Sequence, residues 1–185
     1  MKRCLILLLA VAVMAEAYGR QTFKIDPAHS RIAFKVRHLL GTAKGNFSKF
    51  SGTIVVDRDH PEQSSVEIRI AAASIDTGIA KRDEHLRAEL FEVARYPEIT
   101  FKSRRVKHTG TNSAEIAGDL TMHGVTREIT LTVQLVSNDG TRWRVTTVPL
   151  RRSEFGLMFS KGAEAISGIA DEVAVDIEIE AMLSK

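Results

Sequence analysis

Residues Gly118 to Leu135 constrain this chain more than any other stretch. Leu120 and Met122 alternate with Asp119 and Thr121, a His123-Gly124 pair interrupts, and Ile129, Leu131, Val133 and Leu135 alternate with Thr130, Thr132 and Gln134. Period two in a segment rich in β-branched residues predicts two half-buried strands, with Gly124 supplying the positive φ of a tight hairpin turn. One face of the hairpin is apolar, so other parts of the chain must cover it.

The same alternation recurs from Phe23 onward. It predicts eight long strands, near 31–38, 52–57, 65–73, 98–106, 114–122, 127–136, 142–150 and 172–181, with Gly41 and Gly45 marking one turn and Asn138-Asp139-Gly140 another. Only Ile79 to Ala94 changes period: Leu86, Leu90 and Val93 recur at helical spacing, Asp76 or Thr77 is placed to cap, and Pro97 forbids continuation. Ser153 to Gly168 shows neither period yet carries Phe155, Leu157, Met158, Phe159 and Ile166, as a packed flap would. In the last run Val173, Val175, Ile177 and Ile179 alternate with Ala174, Asp176, Glu178 and Glu180, whose acidic face belongs in water. The expected fold is all-β, an eight-stranded antiparallel barrel with a short helix over one end. Such a barrel either fills with its own side chains or holds one small ligand, and periodicity leaves both outcomes open.

The chain's beginning stands apart from this pattern. Lys2 and Arg3 precede an apolar run from Cys4 to Met14, and Ala15-Glu16-Ala17 has the small-x-small form of a cleavage site. Residues 1–17 are therefore expected to be a cleaved secretory signal, since the run is too short to span a bilayer, and residues 18–185 a single domain. Cleavage would remove the only cysteine, so no disulfide is expected. The net charge of +3 falls by one with the loss of Lys2, Arg3 and Glu16, too near balance to indicate nucleic acid. Arg104-Arg105 and Arg151-Arg152 are expected to face solvent on strands.

An inner face of Ile, Val, Leu and Phe gives a polar substrate few partners and favours an apolar chain, each buried methylene contributing about 0.8 kcal/mol. The motifs His29-Ser-Arg-Ile-Ala-Phe-Lys-Val-Arg-His38, Phe50-Ser-Gly52, Ser74-Ile-Asp-Thr77, Arg82-Asp-Glu-His-Leu-Arg87, Tyr96-Pro-Glu-Ile-Thr-Phe-Lys-Ser103 and Gly118-Asp-Leu-Thr-Met-His-Gly-Val-Thr126 together resemble the YceI-like family. The resemblance implies a lipocalin-like barrel, typically periplasmic, holding a polyisoprenoid or related long-chain amphiphile, isoprenoid quinones included. It further implies sequestration or carriage rather than chemical conversion, with no cofactor beyond the lipid and a transient membrane or lipid-donor contact. Two residues depart from the family pattern: Glu128 stands where proline is common and Ile79 where a polar residue is frequent.

Alternation parity and the resemblance place the tail along Phe34, Val36, Phe47, Phe101, Leu120, Ile129, Leu131, Trp143, Val175 and Ile177. Leu86, Leu90 and Phe91 of the helix, with Phe155 and Phe159 of the flap, would close an end, and His38, Arg82, Asp83 and His85 would meet a polar head. Two other readings stay open, an acid–base enzyme using His85 and Asp83, and a filled barrel serving as an interaction module in an envelope stress response. The six histidines show no i+3, i+4 or His-x-His pairing, so no metal site is expected. His123 reads as a turn residue that sets register rather than as a general base.

Overall fold

In the computed structural model, described for residues 19–184 apart from 138, 140, 148, 161 and 163–167, the chain is mostly antiparallel sheet. The expected signal segment, Asn138 and Gly140 of one turn and Ile166 of the flap lie outside the described residues. The strands are β1 (Arg20–Ile25), β2 (Arg31–His38), β3 (Gly41–Phe47), β4 (Phe50–Asp57), β5 (Ser65–Ala71) and β6 (Ile75–Asp76). They continue with β7 (Glu98–Gly110), β8 (Ser113–Met122), β9 (Val125–Leu135), β10 (Arg142–Thr147), β11 (Leu150–Arg151) and β12 (Glu172–Leu183).

Eight of these close a ring in the order β1, β4, β5, β7, β8, β9, β10, β12 and back to β1. The long β12 joins its two ends: its C-terminal part pairs with β1 (Phe23 opposite Leu183), and its N-terminal part pairs with β2 (Phe34 opposite Val175, Ile32 opposite Ile177). β1 and β2 thus form one stave broken at residues 26–30, and β3 and β4 form the next, broken at Ser48-Lys49.

The expected turn at Gly41 and Gly45 is corrected by β3. Gly41 does close the β2–β3 hairpin, but Gly45 lies within the strand, opposite Phe34. A Cβ there would fall 2.5 Å from the Phe34 ring, so glycine gives that ring its place against the sheet. The hairpin at 118–135 forms as its alternation requires, with Met122 opposite Val125 and positive φ at both His123 (52°) and Gly124 (74°), the backbone of a type I′ turn.

The helix is shorter than its periodicity suggests. One α-helical segment, α1 (Ala80–His85), runs into a π turn at Leu86–Leu90, closed by the Phe91 N–H donating to the Leu86 carbonyl. Neither Asp76 nor Thr77 caps it, because the residue at the cap is Ile79. Instead, Asp83 Oδ1 accepts from the Thr77 N–H (2.9 Å) and hydroxyl, tying the helix back to the chain before it. The acidic face of β12 lies outward and is neutralised from neighbouring strands: Arg31 pairs with Asp176, Arg144 with Glu178, and Arg142 with Glu180 at 2.6 Å.

Candidate functional site

Buried apolar side chains form two clusters that meet at Phe47, Ile68 and Ile70, the larger of them built around Ile75, Phe101, Leu120 and Phe155. At the end where β1 meets β12, Phe23, Ile25, Ile32, Phe50, Ile179 and Ala181 pack together, and Ala181 is completely buried. Trp143 completes this plug, meeting Phe23 edge-on at 5.6 Å. The other end is hollow, with a cavity of about 690 Å³, inside the roughly 300–1,000 Å³ range of small-molecule sites. Both outcomes left open by periodicity therefore occur, each in its own half of the barrel.

The cavity wall follows the strand registers. Phe34 and Val36 on β2 face Val175 and Val173 across the β2–β12 ladder, and Phe101 faces Leu120 across β7–β8. Phe47, Ile129, Leu131 and Ile177 also line it, so the residues assigned to the bore line this cavity except for Trp143. Trp143 has the inward parity expected of it, but lies opposite Ile179 in the packed half.

The helical segment crosses the hollow end with Leu86, Leu90 and Phe91 on the cavity. Arg87 fixes it there, its Nε and Nη2 donating to the carbonyls of Ala73 and Ile75 at 2.8 Å each. Phe159 lines the cavity, its ring stacked on His85 with centroids 5.4 Å apart. Phe155, expected beside it as a flap residue, is instead a core residue only 1% exposed, in the 3₁₀ turn Arg152–Phe155.

His38, Arg82 and His85 line the cavity; Asp83 does not. Asp83 is buried behind the helix on Thr77, and Arg82 donates to the same residue, Nε to its hydroxyl (2.8 Å) and Nη2 to its carbonyl (3.0 Å). The carboxylate nearest His85 is Glu89, 3.2 Å from its Nδ1, so the His85–Asp83 pair of an acid–base mechanism is not assembled. Among the described residues no three His, Cys, Asp or Glu side chains gather as a metal site would require.

Arg152 was expected in solvent and is instead buried, 6% exposed, on the cavity wall. Its guanidinium donates to the carbonyls of Leu157, Ala170 and Ile169 at 2.9, 3.1 and 3.2 Å, pinning the chain after the 3₁₀ turn to the segment that enters β12. Asp171 stands nearby: burial would raise its carboxyl, but the Ser153 hydroxyl and N–H and the Arg152 charge outweigh this and hold it below the ordinary value. The second arginine of an Arg151-Arg152 pair followed by Ser153-Glu154 reads as solvent-facing and gives no sequence signal for such burial. His123 likewise acts as a tie, with Nδ1 3.2 Å from the Phe155 carbonyl, Nε2 3.2 Å from Glu92 Oε1, and Tyr96 against its ring.

The wall is thus aliphatic and aromatic, and its ionisable members among the described residues are His38, Arg82, His85 and Arg152, with no carboxylate. No buried side-chain nitrogen or oxygen among the described residues lacks a hydrogen-bond partner, so the wall holds few polar groups in need of a ligand. Apolar contact is what the cavity has to offer.

An eight-stranded antiparallel barrel, plugged at one end and hollow under a short helix at the other, defines a lipocalin-like class of ligand-sized barrels. Within that class the chain belongs to the YceI-like family, whose domain model matches residues 23–181. It is 38% identical over 141 residues to a UPF0312 protein of Vibrio parahaemolyticus, covering 73% of this chain and 74% of the relative. It is also 38% identical over 125 residues to Protein YceI of Escherichia coli O157:H7, covering 65% of each. Among solved structures, Burkholderia cenocepacia BcnA superposes with a TM-score of 0.76 at 27% identity, covering 85% of this chain and 99% of that one. A polyisoprenoid binding domain from Saccharophagus degradans, at 22% identity, shares the fold with a TM-score of 0.68, covering 89% and 99%.

Proposed function

We propose that this protein is exported to the periplasm and there sequesters or carries a polyisoprenoid or similar long-chain amphiphile, an isoprenoid quinone among the ligands it suits, without converting it. The observation that carries this reading is the hollow half-barrel of about 690 Å³ with an almost wholly apolar wall. A five-carbon isoprenoid unit buried there contributes up to about 4 kcal/mol before ordering costs, so a few units suffice for tight binding. The Saccharophagus relative, described as polyisoprenoid-binding, supports the ligand class. A polar head would remain near His38, Arg82 and His85, the polar part of the wall at this end. Export rests on the Lys2-Arg3 start, the apolar run and the Ala15-Glu16-Ala17 site.

Native mass spectrometry of protein purified without added lipid tests the ligand, and intact mass after cell fractionation tests export. A co-purifying long-chain adduct on a periplasmic chain beginning at Tyr18 is expected. Protein that carries no adduct and takes up no isoprenoid in titration overturns the reading.

A further inference from the structure

The β2–β3 hairpin departs from the chain's other turns. The β4–β5, β7–β8 and β8–β9 connections carry Arg58-Asp59-His60, Thr111-Asn112 and His123-Gly124, as tight turns in water usually do. Here the two residues between the paired His38 and Gly41 are Leu39 and Leu40, 76% and 90% exposed, the most exposed large apolar side chains among the described residues. Both also line the hollow end, so the tip stands at the cavity's own mouth. The strands behind it are cationic on their outer face: Lys35 lies directly opposite Lys44, with Arg37 one step nearer the tip. Like charges opposed across a ladder are unfavourable in isolation. None of the three forms an ion pair among the described residues, and Glu172 is the acidic side chain beside Lys35 and Arg37.

We propose that the Leu39-Leu40 tip docks the open end of the barrel onto an anionic phospholipid bilayer, leucines in the acyl region and Lys35, Arg37 and Lys44 at the head groups. A convex pair of leucines on a two-residue turn has no groove with which to receive a shaped protein partner, but enters a fluid interface without one. Apolar insertion beside a basic flank is the two-part signal that membrane-surface binding requires. That the docked mouth loads the cavity rests on the lipid-binding reading above; the docking itself does not.

The test is flotation of the purified protein, in the form its host accumulates, with anionic phosphatidylethanolamine–phosphatidylglycerol vesicles and with zwitterionic phosphatidylcholine vesicles. Leu39→Ser/Leu40→Ser is expected to weaken binding to the anionic vesicles by about tenfold or more, while Leu39→Met/Leu40→Met retains it. Lys35→Glu/Lys44→Glu is expected to weaken it severalfold on anionic vesicles and leave it unchanged on zwitterionic ones. Urea unfolding curves should superpose for all variants, because every altered side chain is outside the core. Serine variants that float like the parent overturn the proposal. So does a parental dimer, seen by ultracentrifugation, that the serine variant dissolves, which would make a second copy the occupant. Isoprenoid titration in detergent separates the two readings: a protein that docks through its leucines but takes up no isoprenoid refutes the carrier function and leaves the docking surface standing.

Discussion

The plugged and hollow halves of this barrel are built from the same kind of strand. Both draw on β12, whose inward residues pass from Val173, Val175 and Ile177 on the cavity to Ile179 and Ala181 in the plug without a break in alternation. What differs is the stave beside it. In the plug β1 closes directly on β12, and Phe23 and Trp143 fill the bore; in the hollow half β2 takes that place and turns back through β3. The bore is thereby filled at one end and left open at the other, and the comparison predicts that the halves respond oppositely to the same kinds of substitution.

The largest effect should come from a charge in the hollow half. Leu131 is buried on the cavity wall and its neighbour Thr132 is exposed on the outer face. Leu131→Lys should abolish lipid uptake, whereas Thr132→Lys should bind like the parent. Isoprenoid titration with far-UV circular dichroism as a folding control measures this, and equal loss in both variants would refute the facing assignment. Next in size is a deletion in the plug: Phe23→Ala should lower unfolding stability by about 3–5 kcal/mol while lipid affinity changes little. A large loss of affinity in folded Phe23→Ala protein would show that the plug shapes the site.

Overfilling should do the reverse. Ala43 on β3 is half-buried on the cavity wall, and a phenylalanine there would enter open space rather than a packed core. Ala43→Phe should cost at most about 1 kcal/mol of stability, less than the 1–3 typical of overpacking, and weaken lipid binding by about tenfold. A thermal shift assay with and without ligand reads both quantities. If stability falls as far as in Phe23→Ala, the hollow half is tighter than its geometry indicates.

The misplacement of Trp143 shows what alternation conveys. Period two fixes which face a side chain takes, and the chain's inward and outward sets, the hairpin register and the acidic outer face of β12 all follow from it. It says nothing about height along the barrel axis, which depends on how far neighbouring strands are offset and hence on contacts between residues such as Phe23 and Leu183, far apart in sequence. Trp143 thus has the right face and the wrong end. β3 was hidden for another reason: Gly41, Gly45 and Lys44 resemble turn residues, and it takes the Phe34 ring and the Asp76 carbonyl beside Gly45 to explain a glycine within a strand. Phe155 lies within the stretch without period and Arg152 just before it, where burial is set by tertiary contacts alone.

The smallest predicted effect lies at the joint between the halves, where residues 26–30 break the β1–β2 stave. Asp26 Oδ2 lies 2.7 Å from His29 Nδ1, and the Ser30 hydroxyl accepts from the Glu180 N–H, fastening the break to β12. The hydrogen bond from His29, then that from the Ala28 N–H, holds the Asp26 carboxyl below its ordinary 3.8. The hydrogen bond to Asp26, then the charges of Asp26 and Glu180, raises His29 above 6.5. Since the folded His29 binds its proton more tightly, its contribution is complete below about pH 6.5 and is lost as pH rises through the raised value; that of Asp26 is present above about 3.8 and lost as pH falls through the lowered one. The tie should therefore be strongest between these limits. His29→Gln should narrow the stability difference between mildly acidic and alkaline solution, measured as the urea midpoint at about pH 5.5 and 8.5. Both groups are solvent-accessible, so the effect should be small and weaken with salt. An unchanged difference would show that Ser30 and the backbone hold the joint without the ion pair, and that the boundary between plug and cavity is set by strand pairing alone.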